Sequence, residues 1–222
     1  MEQNIRYTET LGEMANYLNE NYNINIMTKY YLHGGKASVN SEGNKKFFQR
    51  LVDGLDTTVN FLCVYFARDR RINKNWNWDV MFEEDKKQIS SFCPKTKFNF
   101  VLASRDIHDF SKQLKNAHVV FLKGGITPSL YKVLKKIPNL EKSFNGKIIA
   151  GSSAGALVLA KYYYDGDYDT YSEGLGILPI KMICHWGEQR HSKLEDLKKF
   201  GEELEIYTIP EEKFFIYEKR GK

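Results

Sequence analysis

Cysteine is scarce in this chain. Cys63, Cys93 and Cys184 are its only three, far apart and in no CxxC pair. Neither a disulfide framework nor a thiolate metal site is therefore expected, and a reducing, cytoplasmic location fits. Long hydrophobic runs are also missing. The longest, "FLCVYF" and "HVVFL", are far too short to cross a bilayer, so no membrane partner is expected. The opening "MEQNIRYTETLGEM" has no basic stretch leading into an apolar one, and no secretory signal is read there. There are five prolines, no linker rich in Pro, Gly or Ser, and neither internal repeat nor low-complexity tract. The charge excess is small, +5 over 222 residues. Lysines are scattered through helical stretches next to Glu and Asp, as in "EEDKKQ" and "LEDLKK", which read as solvated helix faces. One concentrated basic run remains, "ARDRRINKNWNW" at 67–78. No nucleic-acid motif accompanies it, so nucleic acid is not expected as a partner, and small acidic substrates suit the run at least as well.

What is present is an alternation of short β-rich runs with longer amphipathic ones. Strands are expected at 26–34, 58–67, 98–103, 118–124, 147–152 and 180–186, with helices at 42–54, 78–92, 107–116, 127–135, 154–163 and 192–204. In the last of these, Leu194, Leu197, Phe200 and Leu204 recur at helical spacing and form one apolar stripe. Such alternation points to an α/β layered fold with a mostly parallel central sheet. Residues 1–24 read as an N-terminal helical extension, and 25–222 as a single α/β domain.

The stretch "KIIAGSSAGALVLAKYYY" (147–164) carries the chemistry. Its "GSSAG" fits the G-x-S-x-G turn, with a strand before it and a helix after it, and places Ser153 at the centre. Small neighbours are what a strained strand-to-helix turn requires. The alternative reading is a close-packed crossing with an incidental serine. A serine nucleophile needs a base. His185 stands at the end of an expected strand and is the first candidate; His33, in "YLHGGK", is the rival. A second strand-to-helix turn, "FLKGGITPSL" (121–130), exposes Gly124 or Gly125, which with Ala154 would supply oxyanion donors. Between serine and histidine lie Asp165, Asp167, Asp169 and Glu173, candidates to orient the imidazole or simple turn acids. No phosphate-loop or EF-hand pattern is found, and no metal or cofactor is expected.

The segments "FLKGGITPSLYKVL", "IIAGSSAGALVLA" and "GLGILPIKMICHW", spanning roughly 118–190, resemble the S51 peptidase family, which includes peptidase E and cyanophycinase. The resemblance implies a three-layer α/β/α sandwich of the class I glutamine amidotransferase-like type, flavodoxin-like in its parallel sheet. It also implies a serine hydrolase site with Ser153 as nucleophile, His185 as base, and Gly124 with Ala154 as the oxyanion hole. For the acid it points first to Asp165, then to Asp167. The sequence departs from the family at "KGGIT", where Lys123 and Ile126 replace a glycine and an asparagine, and at Cys184, where peptidase E carries proline. The expected activity is hydrolysis of short peptides with an acidic N-terminal residue, Gly125 and Arg190 binding the substrate, in a monomer or homodimer. The alternative is a catalytically silent domain that binds an amino acid or peptide.

Overall fold

The computed structural model describes residues 27–55, 58–69 and 72–221. The helix expected over 1–24 lies outside the described residues. In chain order the elements are β1 (Met27–His33), α1 (Glu42–Val52), β2 (Val59–Val64), α2 (Trp78–Phe92), β3 (Phe98–Leu102), α3 (Ile107–Asn116), β4 (Val119–Leu122), α4 (Thr127–Leu134), α5 (Leu140–Ser143) and β5 (Ile148–Ser152). There follow α6 (Ala154–Leu157), β6 (Ala160–Asp165), β7 (Thr170–Glu173), β8 (Leu178–Cys184), a 3₁₀ turn (Glu188–Arg190), α7 (His191–Lys199), β9 (Ile206–Ile209) and β10 (Phe214–Arg220).

The central sheet has the order β10-β1-β5-β4-β2-β3. All its pairs are parallel except β1 with β10. Period-two alternation divides its side chains between two cores. Tyr31, Phe61, Cys63, Val119, Phe121 and Ala150 face α1 and α2, meeting Phe47, Phe48, Ile89 and Phe92. Leu32, Leu62, Val64, Val120, Leu122 and Ile149 face the other way, onto Phe110 of α3, Leu130 and Leu134 of α4, and α6. The result is the three-layer α/β/α sandwich with a mostly parallel sheet. Ser41, Asn77 and Asp106 accept N–H bonds from the first turns of α1, α2 and α3, which sets where each helix starts.

Two expectations are corrected. The helix read over 154–163 ends at Leu157, and Ala160–Asp165 is strand β6. The aromatic run Tyr162, Tyr163 and Tyr164 suits a pleated, half-buried surface better than a helix. It builds a second, four-stranded sheet, β7-β6-β8-β9. The strand bearing His185 also belongs to that second sheet, not to the central one. Lys181 of β8 is fully buried and donates to the carbonyls of Leu197, Lys198 and Phe200 at 2.8–2.9 Å. That bond set caps the end of α7 and fastens it to β8.

Candidate active site

Ser153 follows β5 directly and has φ 51° and ψ −115°. A non-glycine residue in that conformation stores on the order of 1–3 kcal/mol of strain, which the surrounding packing must hold. Gly155 shows how. A Cβ there would lie 1.9 Å from the Leu122 carbonyl oxygen, so only glycine lets α6 approach β4 this closely. The serine backbone is pinned by its N–H to the His33 carbonyl, 2.9 Å, and its own carbonyl accepts from Ala156 and Leu157. Its side chain is left pointing into a cleft of about 310 Å³, lined among others by Lys36, Arg68, Gly124, Asp167 and His185.

The structure brings Ser153 and His185 together. Ser153 Oγ lies 2.9 Å from His185 Nε2. The two residues come from different sheets, so the shared rim expected of one sheet is not the cause. Instead the end of β8 is bonded across: the His185 N–H donates to the Gly34 carbonyl (2.8 Å), and the Trp186 N–H to Ile209 (3.1 Å). Gly35, at φ 131°, lies flat against the imidazole, and a Cβ there would stand 2.1 Å from Cε1. Any side chain at 35 would displace the ring.

The carboxylate beside His185 comes from outside the 165–173 segment. His185 Nδ1 lies 2.8 Å from Oε1 of Glu211, in the turn between β9 and β10. Oε2 of the same carboxylate pairs with Lys36 Nζ at 2.6 Å. The Lys36 bond, joined by that of His185, holds the Glu211 carboxyl below its usual range. With a carboxylate at Nδ1, the imidazole carries its proton there and turns a lone pair toward Ser153.

The four acids expected at 165–173 take other work, a correction with a plain cause: they belong to the β6–β7 hairpin, in which Asp165 pairs with Thr170. Asp165 is buried, accepts the Asp167 N–H at 3.0 Å, and has its pKa raised by burial. Asp167 is exposed on the cleft wall. Asp169 accepts from Tyr164 and pairs with Lys193, and Glu173 is exposed at the strand end. None of the four is bonded to His185. Arg190 is a second correction. Its Nη1 donates to the Cys184 carbonyl, and its guanidinium lies by the Tyr164 ring, 5.8 Å from the centroid, not on the cleft wall.

Gly124 and Gly125 line the cleft. Lys123 and Ile126 on either side fix their turn to β2 and the loop beyond it, through N–H bonds to Val64 and Ala67. The Lys123 side chain is buried in an ion pair with Asp85, whose other oxygen accepts from Tyr65 at 2.6 Å. The lysine in "KGGIT" is thereby tied down to α2. The N–H groups of Gly124 and Ala154 make no hydrogen bond among the described residues. Cys184 beside the histidine is fully buried, and burial pushes its thiol up to about 12. It holds no thiolate at neutral pH.

The rival His33 is a structural residue. It is fully buried, with Nε2 2.9 Å from Asn44 Oδ1, and Nδ1 accepts the Gly35 N–H. Burial lowers its pKa from 6.5 to about 4. The unfolded chain therefore binds a proton between those values that the folded chain refuses. Stability from this group is full above pH 6.5 and drains away as pH falls toward 4, by up to about 3 kcal/mol. Urea unfolding of the wild type and His33→Gln across that window is expected to show the steeper acid loss in the wild type.

Among the described residues no group of His, Cys, Asp and Glu is arranged to hold a metal ion, and no helix is long and apolar enough to cross a membrane.

The profile of peptidase family S51 matches residues 99–221, more than half the chain. The chain belongs to peptidase family S51. It is accordingly a peptidase-like hydrolase. Solved structures that share its fold include two peptidases. One is a peptidase from an acI-B1 Actinobacterium, with a TM-score of 0.63 and 19% identity over 90% of this chain and 87% of that one. The other is a proposed peptidase E of Listeria monocytogenes EGD-e, with a TM-score of 0.59 and 17% identity over 87% of this chain and 98% of that one. No functionally curated protein matches it in sequence. Ser153, His185 and Glu211 all fall within the matched region. Lys36 and Arg68, which line the cleft, and Gly35, packed against His185, fall outside it.

Proposed function

We propose that the chain is a serine-type peptidase that cleaves short peptides after an acidic residue. One observation carries this reading: the unbroken path Ser153 Oγ–His185 Nε2 and His185 Nδ1–Glu211 Oε1, at 2.9 and 2.8 Å. A hydroxyl is a poor nucleophile at neutral pH unless a base removes its proton as it attacks. His185 takes that proton, and Glu211 stabilises the imidazolium. Gly124 and Ala154 present their N–H groups to the oxyanion as the carbonyl becomes tetrahedral. His185 then returns the proton to the departing amine. Water repeats the sequence to release the acyl group.

Specificity rests with Arg68 rather than Arg190. Arg68 is half-buried on the cleft wall, and among the described residues its Nε is buried without a hydrogen-bond partner. Desolvation lowers its pKa, and a substrate carboxylate in two parallel bonds would satisfy it. The test compares Arg68→Gln and Arg190→Gln on acidic and neutral dipeptides of equal size. Arg68→Gln is expected to lose about 10- to 100-fold in kcat/KM on the acidic set alone, the range of one charge-assisted pair. Arg190→Gln is expected to lower both sets together, through its hold on the strand end. Equal losses on both sets for Arg68→Gln would remove the role assigned to it.

A further inference from the structure

Arg68 has a second exposure. It also lines a separate cavity of about 600 Å³, nearly twice the volume of the cleft at Ser153. The partition between the two spaces is Arg68 and a single turn. Gly124, Gly125 and Ile126 face the cleft, while Pro128 and Ser129, next along the chain, face the cavity. The cavity floor is apolar, made by Phe66, Trp78 and Val133, and among the described residues its cations are Arg68, Arg105 and Lys132 and its one acid is Asp69. Arg105 lies over the Trp78 ring at 4.2 Å from the centroid, and the Trp78 Nε1–H donates to the Arg68 carbonyl at 2.7 Å. Aromatic floor and cationic rim are thus held in one unit with the residue that faces the cleft. Arg105 and Lys132 are exposed, so an anion entering from solvent meets them first.

We propose that this cavity is a second substrate pocket, which receives an acidic residue on the N-terminal side of the residue whose carbonyl Ser153 attacks. The proposal rests on the serine peptidase reading and extends it: the preferred substrates are longer than dipeptides. Direction follows from the mechanism. The leaving amine must depart beside His185, which protonates it. His185 borders the cleft and not the cavity, which opens beyond the 124–126 turn. That side belongs to the acyl half of the substrate. Charge selects the occupant. Among the described residues a bare α-ammonium would meet three cations against one acid, Asp69, whereas a carboxylate on a methylene stem would lay the stem on Phe66, Trp78 and Val133 and place its charge between Arg105 and Lys132.

The experiment uses three synthetic peptides, Asp-Leu, Glu-Asp-Leu and Lys-Asp-Leu, with cleavage before Leu followed. The wild type is expected to cleave the glutamyl peptide at least about tenfold better than the lysyl one, the size of one productive charge contact. The double variant Arg105→Gln/Lys132→Gln should bring that ratio near one and leave Asp-Leu unchanged. Val133→Trp, which fills the cavity floor, should slow only the extended peptides. The proposal is overturned if extension blocks cleavage while Asp-Leu is cleaved, or if the glutamyl preference survives the double variant. Calorimetric binding to Ser153→Ala, with and without the double change, gives the same decision apart from catalysis. A glutamyl preference in binding that the double change abolishes keeps the pocket even if no peptide is hydrolysed. Equal binding of the two extended peptides overturns it.

Discussion

His185→Ala is expected to lower peptide hydrolysis by about 10⁴- to 10⁶-fold, and Ser153→Ala by a similar factor. The size follows from the chemistry. Without an acceptor 2.9 Å from Oγ, the serine must lose its proton to water, and the leaving amine must depart unprotonated. What survives is the contribution of binding and of the Gly124 and Ala154 N–H groups. The double variant should be no worse than either single one, because the two side chains act as a unit. His185 is only partly buried, at the mouth of the cleft, so thermal unfolding of His185→Ala should stay close to the wild type. Steady-state rates with a chromogenic peptide, read beside melting curves, separate lost chemistry from lost fold.

Glu211→Gln is the second large effect, a fall of about 10³- to 10⁴-fold in kcat. The amide keeps the shape but offers no charge to the imidazolium. Its NH₂ group can also donate to Nδ1 and so reverse the tautomer that Ser153 needs. Lys36 then loses its partner at 2.6 Å as well. Asp165→Asn and Asp167→Asn should each cost far less, since neither carboxylate touches the imidazole. Parallel kinetics on the three variants would place the acid. A loss in Asp165→Asn as deep as that in Glu211→Gln would contradict the assignment.

The fold was legible where the strands of the central sheet run apolar between turn signals. "FLCVYF", "HVVFL" and "KIIAGS" became β2, β4 and β5 almost as read. Ser153 was legible for a related reason: a strained turn admits only small neighbours, and "GSSAG" supplies them. His185 does lie beside Ser153, but the rim argument that pointed to it is replaced by the two-sheet arrangement. The last two strands are harder to read, because "IYTIPEEKFFIYEKR" mixes charge into half-exposed edges and its apolar runs, IYTI and FFIY, are short. Its aromatic and β-branched residues on either side of Pro-Glu-Glu-Lys do carry a strand–turn–strand signal. Reading it would have put Glu211 at a loop beside a strand end. In "YDGDYDTY" the acids drew attention as partners for histidine, yet Asp-Gly between aromatic residues is a hairpin signal. Arg68 stands in the basic run 67–78, which suits acidic substrates but singles out no one residue, and Gly35 has no local signature. Their roles arise from proximity, one beside the cleft and one against an imidazole, between segments far apart in the chain.

The central claim is that Ser153 is an activated nucleophile, and a serine-directed fluorophosphonate tests it most directly, since only a hydroxyl with a working base displaces fluoride at a useful rate. Intact-mass and peptide mapping of the treated protein should show one adduct, on Ser153, formed quickly in the wild type, slowly in Glu211→Gln and not at all in His185→Ala. No adduct on the folded wild-type protein, or one on Ser153 that forms equally fast without His185, would contradict the account and favour a silent peptide-binding domain.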